Sequence, residues 1–209
     1  AGFVAIIGAP NAGKSTLLNS LVGQKIAIVT PKINTTRATM RGIVTTDDTQ
    51  YIFVDTPGIY RPKKRLLDKS MVAAAWDAQQ DADVVLFMVD AKMGFKGKAE
   101  DVLQGLENAK EEGRLPPCYV AFNKVDGLNK DLLLPLMQQA AETKLFAGVF
   151  AISALKNNGV NDMLKQFATH FPKSPFLYDP EDITDSPMRL IAAEITRERA
   201  FMTLKEEIP

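Results

Sequence analysis

The sequence predicts an α/β fold, a mainly parallel β-sheet with helices on both faces and one antiparallel edge strand. Three observations predict it. Short apolar runs rich in β-branched residues alternate with longer segments at helical spacing. The runs are continuously apolar, the pattern of strands buried on both faces. Two neighbouring strand segments flank Asp47-Asp48, which reads as a hairpin and therefore as an antiparallel edge.

Bulk composition bounds the rest. With 209 residues, the chain can build one sizeable domain plus an appendage, or two small domains. It is 46% hydrophobic and 24% charged, which argues for a packed globule rather than disorder. Its 25 basic and 25 acidic residues cancel, so no overall basic surplus exists to clamp a polyanion. One cysteine, Cys118, excludes an internal disulfide and a cysteine-rich zinc site, and its apolar context predicts a small buried hydrophobe. The longest apolar run, Val84 to Val89, is far short of a membrane span. The first residues already read as a strand and no leader is visible, so an intracellular protein is expected.

The first strand, 3–7, runs into Gly8-Ala9-Pro10-Asn11-Ala12-Gly13-Lys14-Ser15, and a helix over 14–22 stops at Gly23. The eight residues fit GxxxxGK followed by Ser or Thr, in the strand–turn–helix setting that a phosphate-binding loop requires. Backbone N–H groups and the helix dipole converge there on one anion. Lys14 adds a cation for the β- and γ-phosphates, Ser15 a magnesium-ligating hydroxyl, and Thr16 stands beside them at the helix start. This is the P-loop NTPase fold.

A polar segment, Thr30 to Arg37, follows. A threonine hydroxyl in it can complete the magnesium shell only while the γ-phosphate is present, making an order–disorder switch. Thr36 is the choice, with Thr35 close behind. Strands over 40–46 and 50–54 lead to Asp55-Thr56-Pro57-Gly58, with Asp55 placed to hold magnesium through water and Gly58 to let a backbone N–H approach the γ-phosphate. Lys14, Thr36, Asp55 and Gly58 are thus the candidate catalytic residues. Next stands Ile59, where Ras-like enzymes carry a water-orienting glutamine, so slow intrinsic turnover is expected. A helix is predicted over 66–80, after the basic cluster Arg61 to Arg65.

A strand over 83–89 and a helix over 97–112 come next, with Gly94-Phe95-Lys96-Gly97 between them. The strand 118–122 then delivers Asn123-Lys124-Val125-Asp126. The Asp126 carboxylate can accept two hydrogen bonds from guanine's edge, whereas adenine leaves it unpaired; such sites discriminate by about 10⁴–10⁵. Lys124 would lie over the base, and Asn123 would tie this loop to the phosphate loop. A helix over 130–142 and a strand over 148–152 precede Ser153-Ala154, where a backbone N–H can meet guanine's carbonyl oxygen. The last helix of this unit covers 159–170, with His170 read as a surface residue. All four elements fall at strand carboxyl ends, where open parallel sheets bind ligands.

The composition changes near Phe171: prolines and acids over 172–187 read as a linker, and an amphipathic helical stretch begins at Met188. The phosphate and guanine motifs, Asn34-Thr35-Thr36-Arg37, Ile152-Ser153-Ala154 and Ala192-Ala193-Glu194-Ile195-Thr196-Arg197-Glu198 together resemble the Era-type family of bacterial GTPases. The resemblance implies a GTP-binding domain over 1–171, a linker over 172–187, and over 188–209 the first helix of a KH-type RNA-binding domain that this chain only begins. No glycine follows Gly159, so the distal segment lacks the GxxG loop of a KH domain, and Gly94 to Gly97 is a decoy. The resemblance further implies a cytoplasmic, slowly hydrolysing GTPase of small ribosomal subunit assembly. It would use GTP/GDP and Mg²⁺, contact small-subunit rRNA and the 30S particle through the full-length protein, and sit peripherally on the inner membrane without spanning it. Asn11 resembles the asparagine that holds an activating K⁺ in several relatives, and is equally a turn former. The alternatives are a GTP-binding module with little hydrolysis of its own, or another ribosome-assembly or tRNA-modification GTPase of the superfamily.

Overall fold

The computed structural model describes residues 1–29, 40–56 and 81–203. Its strands are β1 (Gly2–Gly8), β2 (Met40–Thr45), β3 (Gln50–Asp55), β4 (Val84–Asp90), β5 (Cys118–Asn123) and β6 (Gly148–Ala151). They form one sheet in the order β2-β3-β1-β4-β5-β6. All neighbours are parallel except β2 and β3, which pair antiparallel from Met40–Asp55 to Thr45–Gln50. The expected hairpin edge is therefore present, turned at Asp47-Asp48.

The helices are α1 (Lys14–Val22), α2 (Lys98–Glu111), α3 (Lys130–Glu142), α4 (Val160–Ala168) and α5 (Met188–Thr203). Two cores flank the sheet. On one face Leu17 and Leu18 of α1 and Met163 and Phe167 of α4 pack on Val4, Ile6 and Phe53. On the other, Val102 and Leu106 of α2 and Ala140 of α3 pack on Ile7, Phe87 and Phe122. Burial on both faces explains why β4 and β5 have no polar alternation. Cys118 is buried, as expected, and desolvation pushes its thiol far above the ordinary range.

Differences are confined to ends and the tail. Helix α4 stops at Ala168 rather than 170, so exposed His170 lies beyond it, its Nε2 2.7 Å from the Tyr119 hydroxyl. The proline-rich stretch read as a linker is fastened to the sheet. Ile43 N–H on edge strand β2 donates to Ile183 O at 2.9 Å, and Thr184 Oγ1 donates to Arg41 O at 2.6 Å. Helix α5 also lies on this unit: Glu198 is buried, accepts the Val29 N–H at 3.0 Å, and ion-pairs with Lys25. The helix expected over 66–80 and the cluster Arg61 to Arg65 lie outside the described residues. Among the described residues no helix is long and apolar enough to cross a membrane.

Candidate nucleotide site

The site is built where β1, β3, β4 and β5 end. At the end of β1, Gly8 cannot carry a side chain: a Cβ there would sit 2.4 Å from Met88 O on neighbouring β4. The turn then passes through Asn11 at φ 65° and Gly13 at φ 100° before α1 begins. Gly13 is equally constrained, since a Cβ would lie 2.2 Å from Asn123 Nδ2. That amide donates to Ala12 O at 2.9 Å, so Asn123 does tie the guanine loop to the phosphate loop.

Lys14 is buried at the foot of this turn. Its Nζ donates to Gly8 O and Ala9 O at 3.1 and 3.2 Å. Ser15 Oγ donates to Asp55 Oδ2 at 2.6 Å, joining residues forty apart in sequence across the β1–β3 pairing. Thr56 is buried, and its hydroxyl donates to Ile6 O at 2.8 Å, fixing the exit of β3 against β1. Burial lowers the Lys14 ammonium below its usual range against the pull of Asp55. Burial likewise raises the Asp55 carboxyl, with Lys14 and the Ser15 hydroxyl opposing. Both charged groups are therefore held out of water with incomplete compensation, a state that a bound anion and cation would relieve.

A metal fits here. Asp55 Oδ1 is buried with no hydrogen-bond partner among the described residues, directly beside the Ser15 hydroxyl. No group of three or more His, Cys, Asp or Glu that could hold a metal ion occurs among the described residues. One carboxylate beside one hydroxyl suits Mg²⁺, which keeps several waters and leans on its substrate, rather than a metal needing a full protein cage.

The residues expected to read guanine also lie together. Asp126 lies exposed in a 3₁₀ turn after β5, and Ser153 Oγ donates to its Oδ1 at 2.6 Å. That bond, first, holds its carboxyl below the usual carboxylate range. Val125, between Lys124 and Asp126, is half-buried and packs on the core under α2 and α3. One expectation changes: the N–H of Ser153 is donated to Asn158 O at 3.1 Å and that of Ala154 to Asn123 Oδ1 at 2.9 Å. Those two groups brace the turn in this structure rather than face outward: Ser153 and Asn158 exchange backbone bonds, and Asn123 has a carbonyl oxygen left over for Ala154 once its amide is committed to Ala12. Thr35, Thr36, Pro57, Gly58 and Ile59 lie outside the described residues.

The sequence reading missed Asp90. It ends β4 opposite Asn123, and its Oδ2 accepts from Lys124 Nζ at 2.7 Å. An acidic residue at a strand's carboxyl end on the ligand edge was the available signal.

Comparisons with known proteins agree with this geometry. A family model described as a 50S ribosome-binding GTPase matches residues 3–124. GTPase Era of Mesorhizobium japonicum is 48% identical over 208 residues, covering 100% of this chain and 65% of the relative. GTPase Era of Brucella suis is also 48% identical, with the same coverage. The chain thus spans 65% of the length of these curated relatives. A crystal structure of Era in complex with MgGDPNP and a segment of 16S ribosomal RNA superimposes with a TM-score of 0.90 at 40% identity, covering 100% of this chain and 69% of that one. The G domain of the Thermotoga maritima FeoB iron transporter shares the fold alone, at a TM-score of 0.58 and 20% identity. With a GTPase family model matching residues 3–124 and the Era relatives matching its whole length, the chain belongs to the Era family of GTPases.

Proposed function

We propose that this chain binds GTP and GDP with Mg²⁺ and hydrolyses GTP slowly, as the timer of a switch acting on small-subunit rRNA during 30S assembly. One observation carries the reading: strand pairing brings Lys14, Asp55 and Asp126 to one sheet edge, two of them buried charges without full compensation. The backbone from Gly8 to Thr16 and the Lys14 ammonium bind the phosphates, exchanging the carbonyls of Gly8 and Ala9 for phosphate oxygens. Asp126, oriented by Ser153, reads the guanine edge. Ser15, Thr36 and, through water, Asp55 are the residues that would hold Mg²⁺, which when bound neutralises charge developing on the phosphoryl oxygens. Thr56, Pro57 and Gly58 carry the γ-phosphate side of the site, and Ile59 cannot orient the attacking water, so hydrolysis is slow without a partner. Asn11, exposed on the phosphate loop, is the candidate K⁺ ligand.

The RNA half of the function is assigned to the full-length protein. The solved Era relative holds a 16S rRNA segment, this chain has no net charge, and its curated relatives are longer. We assign 1–171 to the GTP-binding domain, 172–187 to the connection, and 188–209 to the opening of a KH-type domain.

Single-turnover phosphate release tests the proposal. GTP is expected to yield phosphate slowly, faster in KCl than in NaCl at equal ionic strength, and Lys14→Ala to abolish release. Excess ATP should not compete. Binding without any release would leave a nucleotide-holding module; equal rates in the two salts would remove the K⁺ role.

A further inference from the structure

We infer that Asp90 is a positioning residue for guanine-nucleotide binding, fixing Lys124 between the guanine loop and the phosphate loop; the inference rests on the guanine site proposed above. The backbone of Asp90 is locked first: its carbonyl accepts the N–H groups of Met93 and Gly94 at 3.0 and 2.9 Å. Its carboxylate is divided between two tasks. Oδ1 accepts the Lys92 N–H at 2.9 Å, which sets the rotamer, and Oδ2 accepts from Lys124 Nζ at 2.7 Å. The same Nζ donates to Asn11 O at 2.7 Å. One ammonium therefore joins the turn after β4, the loop after β5 and the loop after β1.

The residue that carries it and one of its two partners have positive φ. Lys124 has φ 68° and Asn11 φ 65°, left-handed conformations that non-glycine residues hold only where surrounding contacts impose them. The pair is also a poor stabiliser of the fold. The Lys124 side chain is 47% exposed and that of Asp90 24%, and pairs so open to solvent contribute little to stability. What the arrangement does supply is order in a long, flexible side chain before the ligand arrives, which lowers the entropy lost on binding. Asp90 thus presets the Lys124 stem at the site assigned to the base.

The test uses the full chain with GDP and Mg²⁺. Asp90→Asn keeps an oxygen acceptor for the Lys92 N–H and replaces the charged acceptor facing Lys124 by an amide NH₂, which cannot accept from it. It is expected to raise the GDP dissociation constant about tenfold, equivalent to about 1.4 kcal/mol, chiefly through faster release, with the nucleotide-free melting temperature unchanged. Asp90→Glu should restore part of the affinity. In a Lys124→Ala background, Asp90→Asn should add less than about a twofold effect, since the group it positions is gone. An affinity for Asp90→Asn within twofold of the parent, or full multiplication of the two effects in the double variant, overturns the inference. If Asp90→Asn does not fold, Asp90→Ser is read against the same outcomes. A parent chain that fails to bind GDP overturns the guanine-site reading itself, and this inference with it.

Discussion

Ser153 and Asp126 show how one hydroxyl sets the acidity of a carboxyl group. The Ser153 Oγ donation holds the Asp126 carboxyl below its usual range. A depressed folded value means that the contact acts fully above the unfolded carboxylate range and is lost only as pH falls through the folded value. Guanine affinity governed by Asp126 should therefore stay flat from about pH 7 to pH 5. Ser153→Ala should weaken GDP binding roughly tenfold, the scale of one hydrogen bond to a charged group, and move the acid-side loss of affinity to higher pH; titration calorimetry across pH checks both. Gly13 makes a steric case beside it. With φ 100° and Asn123 Nδ2 2.2 Å from any Cβ, Gly13→Ala should cost about 1–3 kcal/mol from crowding alone and unseat Asn123 from Ala12 O. Thermal melting should fall, and nucleotide binding with it. These motif residues were legible because the chemistry demands particular residue types at fixed spacing. Asp90 was not, because its meaning depends on an ammonium 34 positions away that only β4–β5 pairing brings close.

Among the elements, strands buried on both faces were the easiest to read. Phe3–Ile7, Val84–Val89 and Cys118–Phe122 are unbroken apolar runs; the last two form their strands with one added polar residue at the ligand end, and the first with a glycine at each end. Helix α1 was legible from its two ends, where glycines in the left-handed region begin and stop it. The stretch 172–187 was read as a linker because its prolines and acids signal irregular chain. Nothing in it announces the partners it fastens to, and one of them is Gln50, a polar residue in β3. Gln50 is fully buried; its Nε2 donates to Thr45 Oγ1 and Tyr178 O, and its Oε1 accepts the N–H groups of Leu177 and Tyr178 at 2.8 and 3.1 Å. Gln50→Ala removes all four bonds, made by a fully buried side chain to partly buried groups, an expected loss of about 2–4 kcal/mol. Hydrogen exchange at Leu177 and Tyr178 should accelerate in that variant while the β4 and β5 amides stay protected. Unchanged exchange at those two residues would show that the segment is held by other contacts.

For the molecule as a whole, the sheet order explains why four motifs scattered from residue 8 to residue 154 meet. With β1 central between β3 and β4, and β5 next, every parallel strand delivers its carboxyl end to the same edge. The tail then returns along edge strand β2: Ile183 meets Ile43, and Glu198 of α5 binds Val29 and Lys25, just past the end of α1. That return was invisible in the sequence, where Glu198 is one acid in an amphipathic stretch and its partners stand about 170 positions earlier. It places the segment leading toward the rest of the longer relatives against the chain that follows the phosphate-loop helix. The central claim is that Lys14, Asp55 and Asp126 serve one guanine nucleotide, and isothermal titration of the folded chain with GDP and Mg²⁺ tests it most directly. The account predicts a saturable, one-to-one heat that ADP does not reproduce and that Asp126→Ala removes; no heat with GDP, or equal heats with GDP and ADP, would contradict it.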